Sequence, residues 1–139
     1  MAGNIKLEIV TPEKEVVNEE AQIVVAPGSL GQFGALTGHT PFLTTLKQGT
    51  LRYNDSQGQE RFVFVSGGFA EVLPDKVTIL AESAERRRDI DVERAKEALE
   101  RAQKRLADEG KAVDLDFERA RAALQRALTR LALAETRRV

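Results

Sequence analysis

Asp89-Ile90-Asp91-Val92-Glu93-Arg94-Ala95, with Arg101 one helical repeat further on, divides the chain into two kinds of chemistry. After this stretch the residues are mostly Ala, Glu, Arg and Leu. Asp89 or Asp91 can cap a helix there, because its carboxylate accepts from free first-turn amides, and Glu93 sits where the helix dipole favours negative charge. Val92, Ala95, Leu99, Ala102 and Leu106 recur at 3-4-3-4 spacing, the apolar seam of one helix. Gly110 should break it. Asp114 or Asp116 should then cap a second helix with the seam Phe117, Ala120, Leu124, Ala127 or Leu128, and Leu131. A connection this short predicts an antiparallel hairpin.

Upstream, residues 4–84 read as strands. Ile5, Leu7 and Ile9 alternate with Lys6 and Glu8, the period of a half-buried strand, and Thr11-Pro12 closes it. Ile23-Val24-Val25-Ala26 is a short strand stopped by Pro27-Gly28, and residues 28–41, rich in glycine, read as a structured loop. Strands follow at Phe42–Leu46, Thr50–Tyr53, Arg61–Ser66, Phe69–Leu73 and Val77–Ala81, separated by turns at 48–49, 54–58, 66–68 and 74–75. The consecutive Phe62, Val63, Phe64 and Val65 should be buried on both faces. Together these readings predict a β-sandwich over residues 1–84 and a C-terminal antiparallel two-helix hairpin over 85–139.

Composition narrows the function. With no cysteine, neither disulfides nor a thiolate metal site can form. MAGNIKLEIV lacks the regions of a signal peptide, and no apolar run approaches the ~20 residues that span a bilayer, so a cytosolic or peripheral protein is expected. The net charge of −1 hides an asymmetry: residues 1–84 carry 6 basic and 10 acidic side chains, residues 85–139 carry 15 and 12. Such a basic tail suits an acidic partner or a phosphate ligand, although a solvated, salt-bridged helix face uses the same residues.

The arginines are not scattered. At about 100° per residue, Arg94, Arg101 and Arg105 fall within ~40° of one another, to one side of the first seam. Arg119, Arg126, Arg130 and Arg137 form a stripe with nearly the same offset from the second. Equal offsets in an antiparallel pair land on one side, so the closed hairpin would gather them on one flank. Guanidinium forks match phosphate oxygens in bidentate fashion, so an anion there would turn repulsion into attraction. The seams are rich in alanine, which buries little area, so the hairpin should close weakly, as suits a switch.

GSLGQFGALTGHTPFLTTLKQG (28–49), VSGGFAEVLPDKVTILAESAE (65–85) and the tail opening on DIDVERA occur here in the order found in the epsilon subunit of bacterial F-type ATP synthase, which the chain resembles over essentially its full length. Thr37 departs from that family, where many members carry proline. The resemblance implies a non-catalytic rotor subunit of a proton-translocating enzyme, peripheral on the cytoplasmic side of the bacterial cell membrane. Its β-domain would bind the gamma subunit and the c-ring, and its helical tail would extend toward the alpha and beta subunits to restrain ATP hydrolysis. Some members bind ATP in the folded hairpin through Ile/Leu-Asp-x-x-Arg-Ala. Ile90, Asp91, Arg94 and Ala95 match that pattern, and Glu85, Arg101, Arg126 and Arg130 match further family positions. ATP is thus expected as a regulatory ligand, with magnesium able to accompany it.

No catalytic constellation competes with this reading. The chain has one histidine, no cysteine, no nucleophile elbow and no GxxxxGK[ST] phosphate loop. His39 reads as a turn and packing residue. Phe117 is the only aromatic residue of the tail, so the stacking platforms of a single-strand nucleic-acid binder are missing. The rival expectation is a β-sandwich adaptor whose basic arm docks an acidic protein without nucleotide.

Overall fold

The computed structural model describes residues 3–108 and 114–136, with the side chains of all of these except 114 and 115. Within this range lie nine strands, a single 3-10 turn and two α-helices. The chain divides into two compact units, residues 1–87 and 88–139. The division falls beyond the expected end of the β-domain at residue 84, because the chain makes one more strand first.

The strands are β1 (Ile5–Val10), β2 (Glu15–Gly28), β3 (Gly31–Ala35), β4 (Phe42–Leu46), β5 (Gly49–Asp55), β6 (Glu60–Val65), β7 (Gly68–Leu73), β8 (Lys76–Ala81) and β9 (Ala84–Arg86). They run in the order β1-β8-β7-β4-β2-β5-β6-β9, with β3 also on β2 and β1 also paired to β2. The β-sandwich thus has two layers joined along β2. All pairings are antiparallel except β1 with β8.

The layers close over Ile5, Leu7, Ile9, Val24, Leu51, Tyr53, Val63, Val65, Val72, Val77 and Ile79. Alternation is what puts them inside: in β1 the odd positions are buried and Lys6 and Glu8 face outward. Full burial of each such aliphatic side chain is worth ~1.5–3 kcal/mol, which makes this unit the stable platform of the molecule. Phe64 is buried as well, although it points to the opposite face from Val63 and Val65, as the consecutive apolar run had suggested.

Two sequence expectations are corrected. The second strand begins well before Ile23, at Glu15, and runs through Pro27 to end at Gly28, and the glycine-rich 28–41 segment is not all loop. Gly31–Ala35 folds back on β2 as a strand, with Gly28 opposite Gly31 and Ala26 opposite Phe33. Glycine at 31, with φ of 139°, makes this tight reversal, which alternation rules do not reveal. The strand character also persists past Ala81, where Ala84–Arg86 pairs with β6 before the helices begin. Glycine is obligatory at Gly68, where a Cβ would stand 2.0 Å from the Leu80 carbonyl oxygen.

The second unit contains α1 (Val92–Ala107) and α2 (Asp114–Thr136), entered through a 3-10 turn at Arg87–Asp89. The expected break at Gly110 and the stripe member Arg137 lie outside the described residues. Helix α2 already includes Asp116, so that residue sits in the first turn rather than ahead of it as a cap.

Candidate functional site

Asp91, and not Asp89, caps α1. Its backbone is extended (φ −80°, ψ 98°), and its Oδ1 accepts the Arg94 N–H at 3.1 Å. Its carbonyl oxygen accepts from Ala95 N at 3.0 Å. Asp89 is taken up by the 3-10 turn. The cap fixes where the helix starts and therefore the direction in which Arg94 and Arg101 leave it.

Along α1, Ala95 and Ala102 are buried and Val92, Leu99 and Leu106 are half-buried, as the seam predicts. On α2 the buried line is Ala120, Ala127 and Ala134, with Leu124 and Leu131 half-buried between them. This decides between Ala127 and Leu128, since Leu128 is 49% exposed. Phe117 was expected in the seam but is 38% exposed at its edge. Leu133 is buried too, a position the seam pattern had not included.

The buried alanines give the arginines a common address. Arg94 precedes Ala95, Arg101 precedes Ala102, Arg105 precedes Leu106, Arg119 precedes Ala120, Arg126 precedes Ala127 and Arg130 precedes Leu131. Each therefore stands about 100° to the same side of its seam. A small cleft lined by Val92, Lys96, Leu131, Ala134 and Glu135 sets the start of α1 against the end of α2, so the helices are antiparallel. Counting inward equally on both helices brings Arg101 level with Arg126. The six arginines consequently share one flank, with Lys96 and Glu135 on the other.

Charge pairing on α1 leaves the arginines available. Lys96 pairs with Glu93 at 3.6 Å and Lys104 with Glu100 at 3.9 Å. Among the described residues, no carboxylate stands within ion-pair distance of Arg94, Arg101, Arg105, Arg119 or Arg126. Such an array of guanidinium groups fits an oxyanion with several oxygens. Ile90 and Ala95, the apolar members of the pattern, are buried and act in packing. Glu85 is carried by the β unit, on β9 opposite Phe64, whereas Ile90, Asp91, Arg94, Ala95, Arg101, Arg126 and Arg130 belong to the helical unit. Among the described residues, no group of three or more His, Asp or Glu could hold a metal ion.

The β unit carries a second surface. Val10, Leu80, Phe69 and Thr45 lie in register across β1, β8, β7 and β4 on the outward face, and Leu43 follows along β4. Phe69 is 55% and Leu43 72% exposed, and Leu30, in the β2–β3 turn, is fully exposed. Leu80 and Phe69 are neighbours in this register and Leu43 stands beyond Thr45, so exposed apolar side chains gather on one face, the kind of surface that proteins use for contacts. His39 holds the neighbouring loop through Nδ1 and the Thr40 carbonyl at 2.6 Å, and its ring lies 6.2 Å from that of Phe42. Sequence reasoning missed this strip because exposure of Leu43 and Phe69 depends on which strands neighbour them.

Two family models match adjoining stretches of the chain. The beta-sandwich domain of the ATP synthase delta/epsilon chain covers residues 4–87, and its long alpha-helix domain covers residues 88–135. The ATP synthase epsilon chain of Desulfatibacillum aliphaticivorans is 66% identical over 113 residues, covering 81% of this chain and 80% of that one. That of Carboxydothermus hydrogenoformans is 53% identical over 107 residues, covering 77% and 79%. A chain of the Euglena gracilis mitochondrial ATP synthase has the same fold, with a TM-score of 0.78 at 24% identity, covering 93% of this chain and 80% of that one.

Proposed function

The chain belongs to the epsilon-chain family of ATP synthase, and on that premise we propose that its helical unit is an ATP-responsive brake on ATP hydrolysis. It is a structural subunit of the central stalk, not a catalytic one. The β unit docks on the gamma subunit and the c-ring, and the exposed strip of Leu43, Phe69 and Leu80 supports a large protein contact there.

The observation that carries the regulatory reading is the shared flank of Arg94, Arg101, Arg126 and Arg130. These arginines converge only while the hairpin is closed. ATP bound to them, with Asp91 as an acceptor, stabilises the closed hairpin by RT ln(1 + [L]/Kd). Magnesium, where it takes part, enters on the nucleotide phosphates, the usual manner for that ion. When ATP leaves, the alanine-rich seam holds the helices only weakly, and the extended tail offers the same arginines to acidic segments of the alpha and beta subunits.

The experiment is a truncation after Arg87, the last residue of the β unit, reconstituted into the whole enzyme. Assembly and coupling should survive and hydrolysis should rise. An enzyme that fails to assemble would place essential contacts in the helices and contradict the division of labour. The other reading, an arm that docks an acidic partner without nucleotide, uses the same arginines and leaves ATP without effect on the isolated protein.

A further inference from the structure

Beside the row that contains Leu80 and Phe69, the outward face of the β unit carries a second row in register. It runs Glu8, Thr78, Glu71 and Leu43 across β1, β8, β7 and β4. Strand alternation turns this row away from the core, where the intervening Ala70, Val72, Val77 and Ile79 are fully buried. Glu71 therefore stands among apolar neighbours. Leu43 lies directly opposite it on β4, and Phe69 lies two places along its own strand.

The two carboxylates of this row differ in their surroundings. Glu8 is held by Lys76 at 3.1 Å and by Lys6 at 3.6 Å, so its charge is met within the sheet. Register puts Lys76 diagonally across from Glu71 as well, but its ammonium is committed to Glu8. Among the described residues, no cation lies within ion-pair distance of the Glu71 carboxylate, which is exposed. Water satisfies that carboxylate in the free protein. A partner seated on this face would strip the water away, and a covered carboxylate without a cation is strongly unfavourable.

We propose that Glu71 selects the partner of this face: the docking surface seats apolar side chains on Leu43, Phe69 and Leu80 and sets one lysine or arginine against Glu71. The occupant is the gamma subunit, and the proposal rests on the reading that the β unit docks on gamma through this face. Apolar contact alone tolerates sliding along the sheet, whereas one charge pair at the border of the apolar patch fixes the register. A surface without the cation would leave the carboxylate unpaired, and that penalty excludes wrong partners.

Binding of the full chain to an alpha-beta-gamma complex prepared without it tests this. E71Q keeps the size of the side chain and removes its charge, and E71K reverses the charge. The Kd should rise about tenfold for E71Q and about a hundredfold for E71K, chiefly through faster dissociation. Parent binding should also weaken with added salt more steeply than that of E71Q. D75N removes the same unit of charge from the exposed β7–β8 turn and should stay within about twofold of the parent. An E71Q affinity within about twofold of the parent, or an equal loss in D75N, would overturn the role of Glu71.

L43S and F69S separate that outcome from a failure of the reading beneath it. Both side chains are more than half exposed, so each variant should keep the thermal melt of the parent. Each should raise the Kd by about tenfold if this face docks on gamma. Unchanged affinity in both would show that another surface docks, and the proposal would fall with that reading. Losses in L43S and F69S with none in E71Q would leave the docking face in place and overturn its charge selection alone.

Discussion

Asp91 Oδ1 accepts the backbone N–H of Arg94 at 3.1 Å, so one carboxylate already serves the helix at the place where a nucleotide would call on it. The two duties are separable. Asp91→Ala removes the cap and should cost about 0.5–2 kcal/mol of α1 stability, whereas Asp91→Asn keeps an acceptor and should cost far less. Thermal melts followed by helical circular dichroism report the cap, and ATP titrations of both variants report the ligand. If Asp91→Asn binds ATP as well as the parent, the carboxylate charge plays no part in the site.

Arg94→Ala and Arg126→Ala should each weaken ATP binding by about 1–3 kcal/mol, the range for charge-assisted hydrogen bonds. Arg94 is exposed and Arg126 half-exposed, and neither takes part in an ion pair among the described residues, so thermal stability should hardly move. Arg121, on the other side of the α2 seam, is the control, and Arg121→Ala should leave affinity unchanged. Equal losses at all three positions would mean that ATP senses overall charge rather than one flank.

Tyr53 makes a spectroscopic prediction. Burial, reinforced by its hydrogen bond to Glu19, pushes the phenol up to about 12 from the usual 10.0. Because the folded value is the higher one, this phenol contributes stability that is complete below about pH 10 and lost as pH rises toward about 12. It is the only tyrosine and the chain has no tryptophan, so phenolate absorbance reads this residue alone. The native midpoint should lie near 12 and the midpoint in denaturant near 10. A native midpoint near 10 would show that the phenol is not held as described.

Asp55 governs the acid side. Burial would raise its carboxyl, but the backbone amides of Gln59 and Gln57, followed by Arg61, more than offset this and hold it below the ordinary range. Its Oδ1 accepts from both amides at 2.9 Å, closing the β5–β6 hairpin, and its Oδ2 lies 3.2 Å from Arg61 Nε. The folded value being the lower one, the stabilisation is present above the unfolded carboxylate value and disappears as pH falls through the folded one. Asp55→Asn should therefore lose stability at neutral pH and show a shallower acid limb in denaturant titrations. A parallel offset at every pH would mean that charge at Asp55 contributes nothing.

Periodicity made the hairpin and most of the sandwich legible. The 4-3 spacing of Ala95, Leu99 and Ala102 and of Ala120, Leu124 and Ala127 identified both seams because alanine and leucine recur there without interruption. It was least exact at Phe117, which stands 38% exposed at the edge of the seam. Strand β3 was hidden because Gly31 and Gly34 break the alternation that marks a strand, and β9 because Ala84-Glu85-Arg86 has no apolar pattern at all. The arginine flank could be read early, since it depends only on offsets within each helix. The hydrogen bonds linking Arg86, Tyr53 and Glu19 could not, because they join residues from three separate strands.

The account turns on whether the closed hairpin holds a nucleotide, and calorimetric titration of the full chain with ATP addresses this directly. A saturable heat at or below millimolar ATP, reduced in Arg126→Ala and unchanged in Arg121→Ala, is the predicted result. No heat up to millimolar ATP would contradict the nucleotide-sensing role and leave the arginine flank to protein partners.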